Sequence, residues 1–127
     1  MARRDDLQEV VLRWVQHTFG AELLAPQERV ARLLEEVVEL AQAEDFPEER
    51  ALALVRHVYL KPPGSPLQEV GGVGVTLLAY CGSKGISADT AERMELDRVL
   101  SLPAEHFRRR QAAKANAGVA AEPTATD

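Results

Sequence analysis

The glutamates of one short segment carry the clearest chemical signal in the chain. Glu35, Glu36 and Glu39 fall within residues 34–40, and spacings of three and four residues place them on one side of a helix. Like charges at these spacings repel one another in water. A divalent cation offsets that repulsion, and Mg²⁺ prefers carboxylate oxygens together with substrate phosphates. The segment is therefore a candidate magnesium site, with Glu69 as a fourth candidate ligand in the first turns of a later helix.

The competing interpretation of these acids is a solvated helix face. Glu is a good helix former, and Glu-Glu-x-x-Glu taken alone favours that interpretation. Val37, Val38 and Leu40 interleave with the acids, so the helix is apolar around much of its circumference. We therefore expect some of the glutamates to lie beside buried surface, where an unpaired charge is costly.

Length and composition favour one all-helical domain. The chain has 127 residues, of which 46% are hydrophobic and 5% aromatic. This mixture predicts a core of mostly Leu, Val and Ala and favours packed helices over a β-sandwich. Lys and Arg number 15 against 20 Asp and Glu, a net charge of −5, which argues against a general nucleic-acid binder.

The same features predict a cytoplasmic protein without a membrane span. The longest uncharged run covers residues 70–83, which is shorter than the roughly 20 apolar residues of a spanning helix. No apolar stretch follows the basic pair near the N-terminus, so a signal peptide is not expected. Cys81 is the single cysteine, which excludes an internal disulfide and a cysteine-based metal cluster, and we expect it to be buried.

Apolar periodicity and helix breakers predict six helices and a tail. The helices cover about 5–18, 26–45, 47–60, 66–83, 88–102 and 105–114. Three glycines, Gly71, Gly72 and Gly74, cost the fourth helix about 1 kcal/mol each relative to Ala, so they need a reason such as close helix packing. A strand at GGVGVTLL is the alternative, and we reject it because no second strand is available to pair with it. We predict a domain over residues 1–117 and a disordered tail over 118–127.

These segments, in this order, resemble the all-α nucleoside triphosphate pyrophosphohydrolases, most closely the small MazG-like proteins of bacteria and phages. The segments that carry the resemblance are Trp14, Phe19-Gly20, Glu28-Arg29, RLLEEVVELAQA, QEVGGVGVTLLAY, Glu95–Arg98, and Phe107-Arg108 with Arg110, Lys114 and Gly118. The resemblance implies a MazG-like four-helix core, assembled as a homodimer or homotetramer.

The resemblance also implies a reaction and its ligands. Metal ligands map onto Glu35 or Glu36, Glu39 and Glu69, with Mg²⁺ or Mn²⁺ as the metal. The implied reaction cleaves a nucleoside triphosphate between its α- and β-phosphates and releases a nucleoside monophosphate and pyrophosphate. Such an enzyme would act in housecleaning of the nucleotide pool.

One position departs from the family pattern. The second acidic block of the family reads Glu-x-x-Asp, whereas here Glu69 is followed at that spacing by Gly72. Three glutamates can still hold one Mg²⁺ with waters and substrate, or Asp89 or Glu92 substitutes for the missing acid. Two alternatives to an enzyme follow: a weakened module that binds nucleotide or a protein partner without turnover, and a purely structural helical dimer.

Candidate substrate-binding residues lie outside the acidic helices. Arg110 and Lys114 are four residues apart on the last helix and could reach a triphosphate, although a solvated basic face explains them equally well. Lys61, in the turn before the Glu69 helix, is a candidate phosphate contact for which a surface position is the simpler interpretation. Trp14 could stack on a base, but its place in an apolar stripe favours the core.

Overall fold

The structure is a computed structural model that describes residues 3–122. Within this range it contains six α-helices, one short 3-10 helix and no strand, which confirms the all-helical prediction. The elements are α1 (Arg4–Phe19), the 3-10 helix Ala21–Leu24, α2 (Pro26–Ala43), α3 (Glu48–Tyr59), α4 (Pro66–Lys84), α5 (Ala88–Ser101) and α6 (Ala104–Asn116). No helix in the described part combines the length and the apolarity that crossing a bilayer requires.

Local capping signals set the ends of α4 and the start of α5. The Ser65 Oγ accepts from the Gln68 backbone N–H at 3.3 Å, and the Ser87 Oγ accepts from the Thr90 backbone N–H at 3.1 Å. Gly85 ends α4 in the left-handed region, with φ of 71°, a conformation that glycine adopts without a Cβ penalty. The glycine-rich segment is therefore one continuous helix, and the alternative of a strand is excluded.

Two compact units make up the chain. The first comprises the residues up to Leu40 together with those from Arg98 onward, and the second comprises Ala41–Asp97. The first unit thus contains all of α1 and α6 and most of α2. The second unit contains all of α3 and α4 and most of α5. Part of the predicted tail, residues 123–127, lies outside the described residues.

An aromatic cluster forms the core of the first unit. Val15, Phe19, Leu23 and Phe107 are buried, and α1 packs on the 3-10 helix and on α6. Trp14 meets Phe19 and Phe107 edge-on, with ring centroids 5.7 and 5.1 Å apart. Val and Leu account for five of the eight residues in and against this core, as the composition predicted, and the three aromatic rings complete it.

In the second unit, α4 carries a continuous small and apolar face that the described residues leave uncovered. This glycine face consists, at helical spacing, of Leu67, Gly71, Gly74, Val75, Leu78 and Gly82. Leu67, Val75 and Leu78 are 86%, 68% and 61% exposed. A Cβ added at any of its three glycines would meet nothing within 4 Å. Among residues 3–122, nothing makes the close helix approach that was expected to explain the glycines. Cys81 is buried as predicted.

Candidate functional site

A predicted site glutamate and a predicted phosphate-binding lysine meet between α2 and α6. The Lys114 Nζ donates to the Glu35 Oε1 at 2.7 Å, across 79 positions of sequence. The Arg32 Nη1 lies 3.6 Å from the same oxygen. The Glu35 and Lys114 side chains are 28% and 29% exposed, so the pair is partly shielded from water. One carboxylate of the acidic helix is therefore held by two cations.

These contacts set the protonation of Glu35. The hydrogen bond from Lys114 is the main reason that the pKa of the Glu35 carboxyl is lowered, and partial burial opposes it. The charges of Lys114, Arg32 and Arg110 lower the pKa further. Glu35 is thus an anion whose charge is balanced by basic residues, which relieves part of the repulsion on the acidic face without a metal ion.

The other two acids of the segment 34–40 are exposed. Glu36 and Glu39 are exposed, as are Val37 and Val38 at 49% and 51%. Of the three glutamates expected beside buried surface, only Glu35 is partly shielded, and it is shielded by its basic partners whereas Val37 and Val38 stay exposed. The Glu36 and Glu39 side chains are therefore in contact with solvent.

Glu69 is positioned by the turn that precedes α4. Its backbone N–H donates to the Ser65 carbonyl at 3.0 Å, within the first turns of the helix. A Cβ added at Gly64 would lie 2.5 Å from the Glu69 Oε1, so the glycine of the Pro-Pro-Gly turn leaves the space that this carboxylate occupies. Gly72 lies one turn further along the same face, and a Cβ there would meet nothing within 4 Å.

Part of the donor set has the chemistry that Mg²⁺ requires. Among residues 3–122, no three His, Cys, Asp or Glu side chains form a group that could hold a metal ion. Glu36 and Glu39 nonetheless offer two exposed carboxylates, and Mg²⁺ commonly binds one or two carboxylates with waters and substrate phosphates. Glu35 fits a metal less well, because Lys114 and Arg32 already bind its carboxylate.

The remaining predicted residues fall in varied environments. Trp14 belongs to the aromatic cluster of the first unit, as its apolar stripe indicated. Lys61 is exposed after the end of α3, and Arg110 is exposed on α6. Asp89, a candidate replacement for the missing acid, forms an ion pair with Arg93 at 3.0 Å.

Sequence reasoning missed a buried polar pair beside this site. The Gln111 Nε2 donates to the Glu28 Oε1 at 2.7 Å, and the two residues are only 3% and 8% exposed. Arg32 forms an ion pair with the same Glu28 oxygen at 3.3 Å. The spacing of Glu28 and Arg32, four residues apart, signals a helical ion pair, but nothing local points to Gln111.

Comparisons with protein-family models, with curated proteins and with solved structures found no match to this chain. The family resemblance consequently rests on the quoted residues alone, and the functional argument rests on the geometry of α2, α4 and α6.

Replacing Lys114 tests the electrostatics of the pair. In Lys114→Gln the pKa of the Glu35 carboxyl should rise toward its ordinary value, because its charged hydrogen-bond donor is lost. Carboxyl ¹³C NMR titration measures this. A lowered pKa contributes stability that is present above the pKa of the unfolded chain and is lost as the pH falls through the folded value. The wild type should therefore be more stable than Lys114→Gln at neutral pH, and this difference should shrink on acidification.

The matched control is Arg109→Gln, which removes a cation from the same helix. Arg109 lies 3.8 Å from Glu105 and its side chain is 70% exposed. The Glu35 pKa should stay unchanged in this variant. An equal response to both substitutions would show that net charge, and not the Lys114 contact, sets the pKa.

Proposed function

We propose that this chain is a nucleoside triphosphate pyrophosphohydrolase. It hydrolyses nucleoside triphosphates between the α- and β-phosphates in a Mg²⁺-dependent reaction, and it removes surplus or non-canonical nucleotides in the cytoplasm. The observation that supports this most directly is the 2.7 Å contact between Lys114 and Glu35. It joins a side chain suited to binding phosphate to the helix whose carboxylates are suited to binding Mg²⁺.

The roles of the acids follow from their surroundings. Glu36 and Glu39 would hold Mg²⁺, which when bound supplies charge neutralisation at the phosphate oxygens and a more acidic water. Glu69 is assigned to the metal by the family resemblance alone. Glu35 has a lowered pKa and is consequently a weak general base. Its role is to hold the Lys114 ammonium, while a carboxylate of α2 that is not fully used as a ligand orients the attacking water.

Basic residues of α6 complete the proposed site. Lys114 and Arg110 are one turn apart on the helix, and both act electrostatically on the Glu35 carboxyl. A triphosphate carries several negative charges, and two cations at this spacing can bind adjacent phosphoryl oxygens. We assign them to substrate binding. The Trp14 ring is partly buried in the aromatic cluster, which makes base stacking by this ring the weaker part of the proposal.

A nucleotide-binding module without turnover is the second candidate function. It is favoured by Gly72, which stands where the family pattern requires an acid and is surrounded by open space. Nothing in the described residues fills that position from a neighbouring helix. The two candidates share the same ligand and differ only in whether the phosphoanhydride bond breaks.

Product analysis tests the proposed reaction. The protein is incubated with a panel of nucleoside and deoxynucleoside triphosphates and Mg²⁺ or Mn²⁺, and the products are separated by chromatography. We expect a monophosphate and pyrophosphate, with kcat reduced about 100-fold or more in Glu36→Gln and Glu69→Gln because charge stabilisation is lost.

The control for this assay is Glu49→Gln, which neutralises an exposed acid at the start of α3 and should leave turnover intact. A diphosphate with phosphate as products would contradict the assigned bond. Nucleotide binding with no product from any substrate would favour the binding module.

Restoring the missing acid distinguishes the two candidates further. Gly72→Asp should fold, because its Cβ has open space, and should lower the half-saturating Mg²⁺ concentration about fivefold by adding one carboxylate ligand. Val70→Asp is the matched control, since that side chain is exposed but lies on the opposite side of α4 from position 72 and outside the glycine face. The same Mg²⁺ dependence in wild type and Gly72→Asp would exclude position 72 from the metal site.

We also propose that the protein is a homo-oligomer, a dimer or a tetramer, in which the glycine face of α4 packs against a second copy. Its Leu and Val side chains are more than half exposed, and burying each one stabilises an assembly by about 1.5–3 kcal/mol. The glycines would permit a short distance between helix axes. Such an interface would explain the glycines, since nothing among residues 3–122 packs closely against them.

Charge placed on the glycine face tests the assembly. Leu78→Glu should convert the oligomer to monomer, because the interface would have to bury an unpaired carboxylate, and sedimentation velocity measures the change. Thr76→Glu, on the opposite side of the same helix, is the control that should keep the wild-type mass. A wild-type chain that stays monomeric at high concentration, or equal dissociation by both variants, would contradict this interface.

A further inference from the structure

The chain reverses direction directly after α6. Ala117 follows the helix, and Gly118 takes a left-handed conformation with φ of 79°. The Gly118 N–H donates to the Ala115 carbonyl and the Val119 N–H to the Lys114 carbonyl, both at 2.9 Å. The residues after Gly118 are therefore turned back toward the body of the first unit.

Two buried side chains anchor the reversed segment. The Ala121 backbone N–H donates to the Glu28 Oε2 at 3.1 Å, and the Ala121 carbonyl accepts from the Gln111 Nε2 at 2.7 Å. Glu28 and Gln111 are 8% and 3% exposed. Buried polar groups of this kind are costly to leave unpaired, so the anchoring of Ala121 satisfies a demand that α2 and α6 create.

Val119 is bonded to both residues that hold Glu35. Its carbonyl accepts a hydrogen bond from the Arg32 Nη2, and its N–H donates to the Lys114 carbonyl. Arg32 and Lys114 are the two basic residues beside the Glu35 carboxylate. Val119 is thus linked through its carbonyl to the Arg32 guanidinium and through its N–H to the backbone of Lys114.

We infer that residues 118–121 form a clasp that positions the Glu35–Lys114 pair, with Gly118 and Val119 as positioning residues. In the clasp, the Val119 carbonyl is a hydrogen-bond acceptor for the Arg32 guanidinium. The Val119 N–H binds the Lys114 carbonyl and so closes the C-terminal end of α6. Its effect on substrate rests on the proposed function, since Lys114 is there a phosphate ligand. Its effect on Arg32 does not, because the guanidinium is held whether or not a nucleotide is bound.

Substitution of Gly118 in the full chain tests the clasp. A Cβ at this position would meet nothing within 4 Å, so a substitution acts through backbone conformation and not through a clash. Gly118→Val cannot adopt the left-handed turn without strain, whereas Gly118→Asn adopts it comparatively readily. Ala117→Ser is the control for a change in the same segment at an ordinary backbone conformation.

Three measurements report the result. Amide hydrogen exchange at Ala121 and ¹⁵N NMR of the Arg32 guanidinium report the clasp itself, and steady-state kinetics report its effect on substrate. In Gly118→Val we expect loss of Ala121 protection, faster rotation of the Arg32 guanidinium and a KM raised about fivefold, with kcat changed less. Gly118→Asn should restore all three toward the wild-type values.

The outcomes separate the clasp from the proposed function. Unchanged Arg32 rotation and Ala121 exchange in Gly118→Val would overturn the clasp, whatever the kinetics. Loss of both signals with an unchanged KM would overturn its positioning role. If the wild type turns over no nucleotide, the hydrolase proposal fails, and the KM comparison is replaced by the affinity for tripolyphosphate measured by calorimetry. The same fivefold weakening in Gly118→Val is then expected, and its absence would overturn positioning.

Discussion

The hydrogen-bonding demand of one buried carboxylate organises the first unit. Glu28 is 8% exposed, and its two oxygens accept hydrogen bonds from Gln111 of α6 and from the backbone of Ala121. Arg32, one turn along α2, adds an ion pair. Each partner comes from a different segment. Displacing any one of these segments would therefore leave part of the buried charge unpaired, at a cost in free energy. The registration of α6 against α2 follows from this requirement, and the Glu35–Lys114 contact follows from that registration.

The same arrangement divides the acidic helix into carboxylates of different character. Glu35 lies toward the basic residues of α6 and is neutralised by them, whereas Glu36 and Glu39 face outward. Residues that are adjacent in sequence thus differ in charge environment because of helix geometry alone. In the proposed reaction on a polyphosphate, such a division would separate the carboxylate that holds a cationic side chain from the carboxylates proposed to bind a metal ion.

Local signals in the sequence predicted much of the fold and only part of the candidate site. Ser65 and Gly85 act within a few residues of themselves, and the helix bounds that depend on them could be predicted. Glu35 and Lys114 were each identified by residue type, but their contact spans 79 positions and depends on packing that no local pattern encodes. Gln111 lies among basic residues that predict a solvent-exposed helix, so its burial could not be predicted. The aromatic cluster could not be predicted, because composition gives the number of aromatic residues but does not show that Trp14 contacts Phe19 and Phe107.

The placement of two single-copy residues gives each unit its own spectroscopic or chemical reporter. The sole tryptophan, Trp14, lies in the aromatic cluster of the first unit, so its fluorescence follows the unfolding of that cluster. The sole cysteine, Cys81, is buried on α4 in the second unit, so its rate of reaction with a thiol reagent follows the opening of that helix. The natural chain therefore carries the means to tell whether its two units unfold as one cooperative body or in separate steps, with no added label.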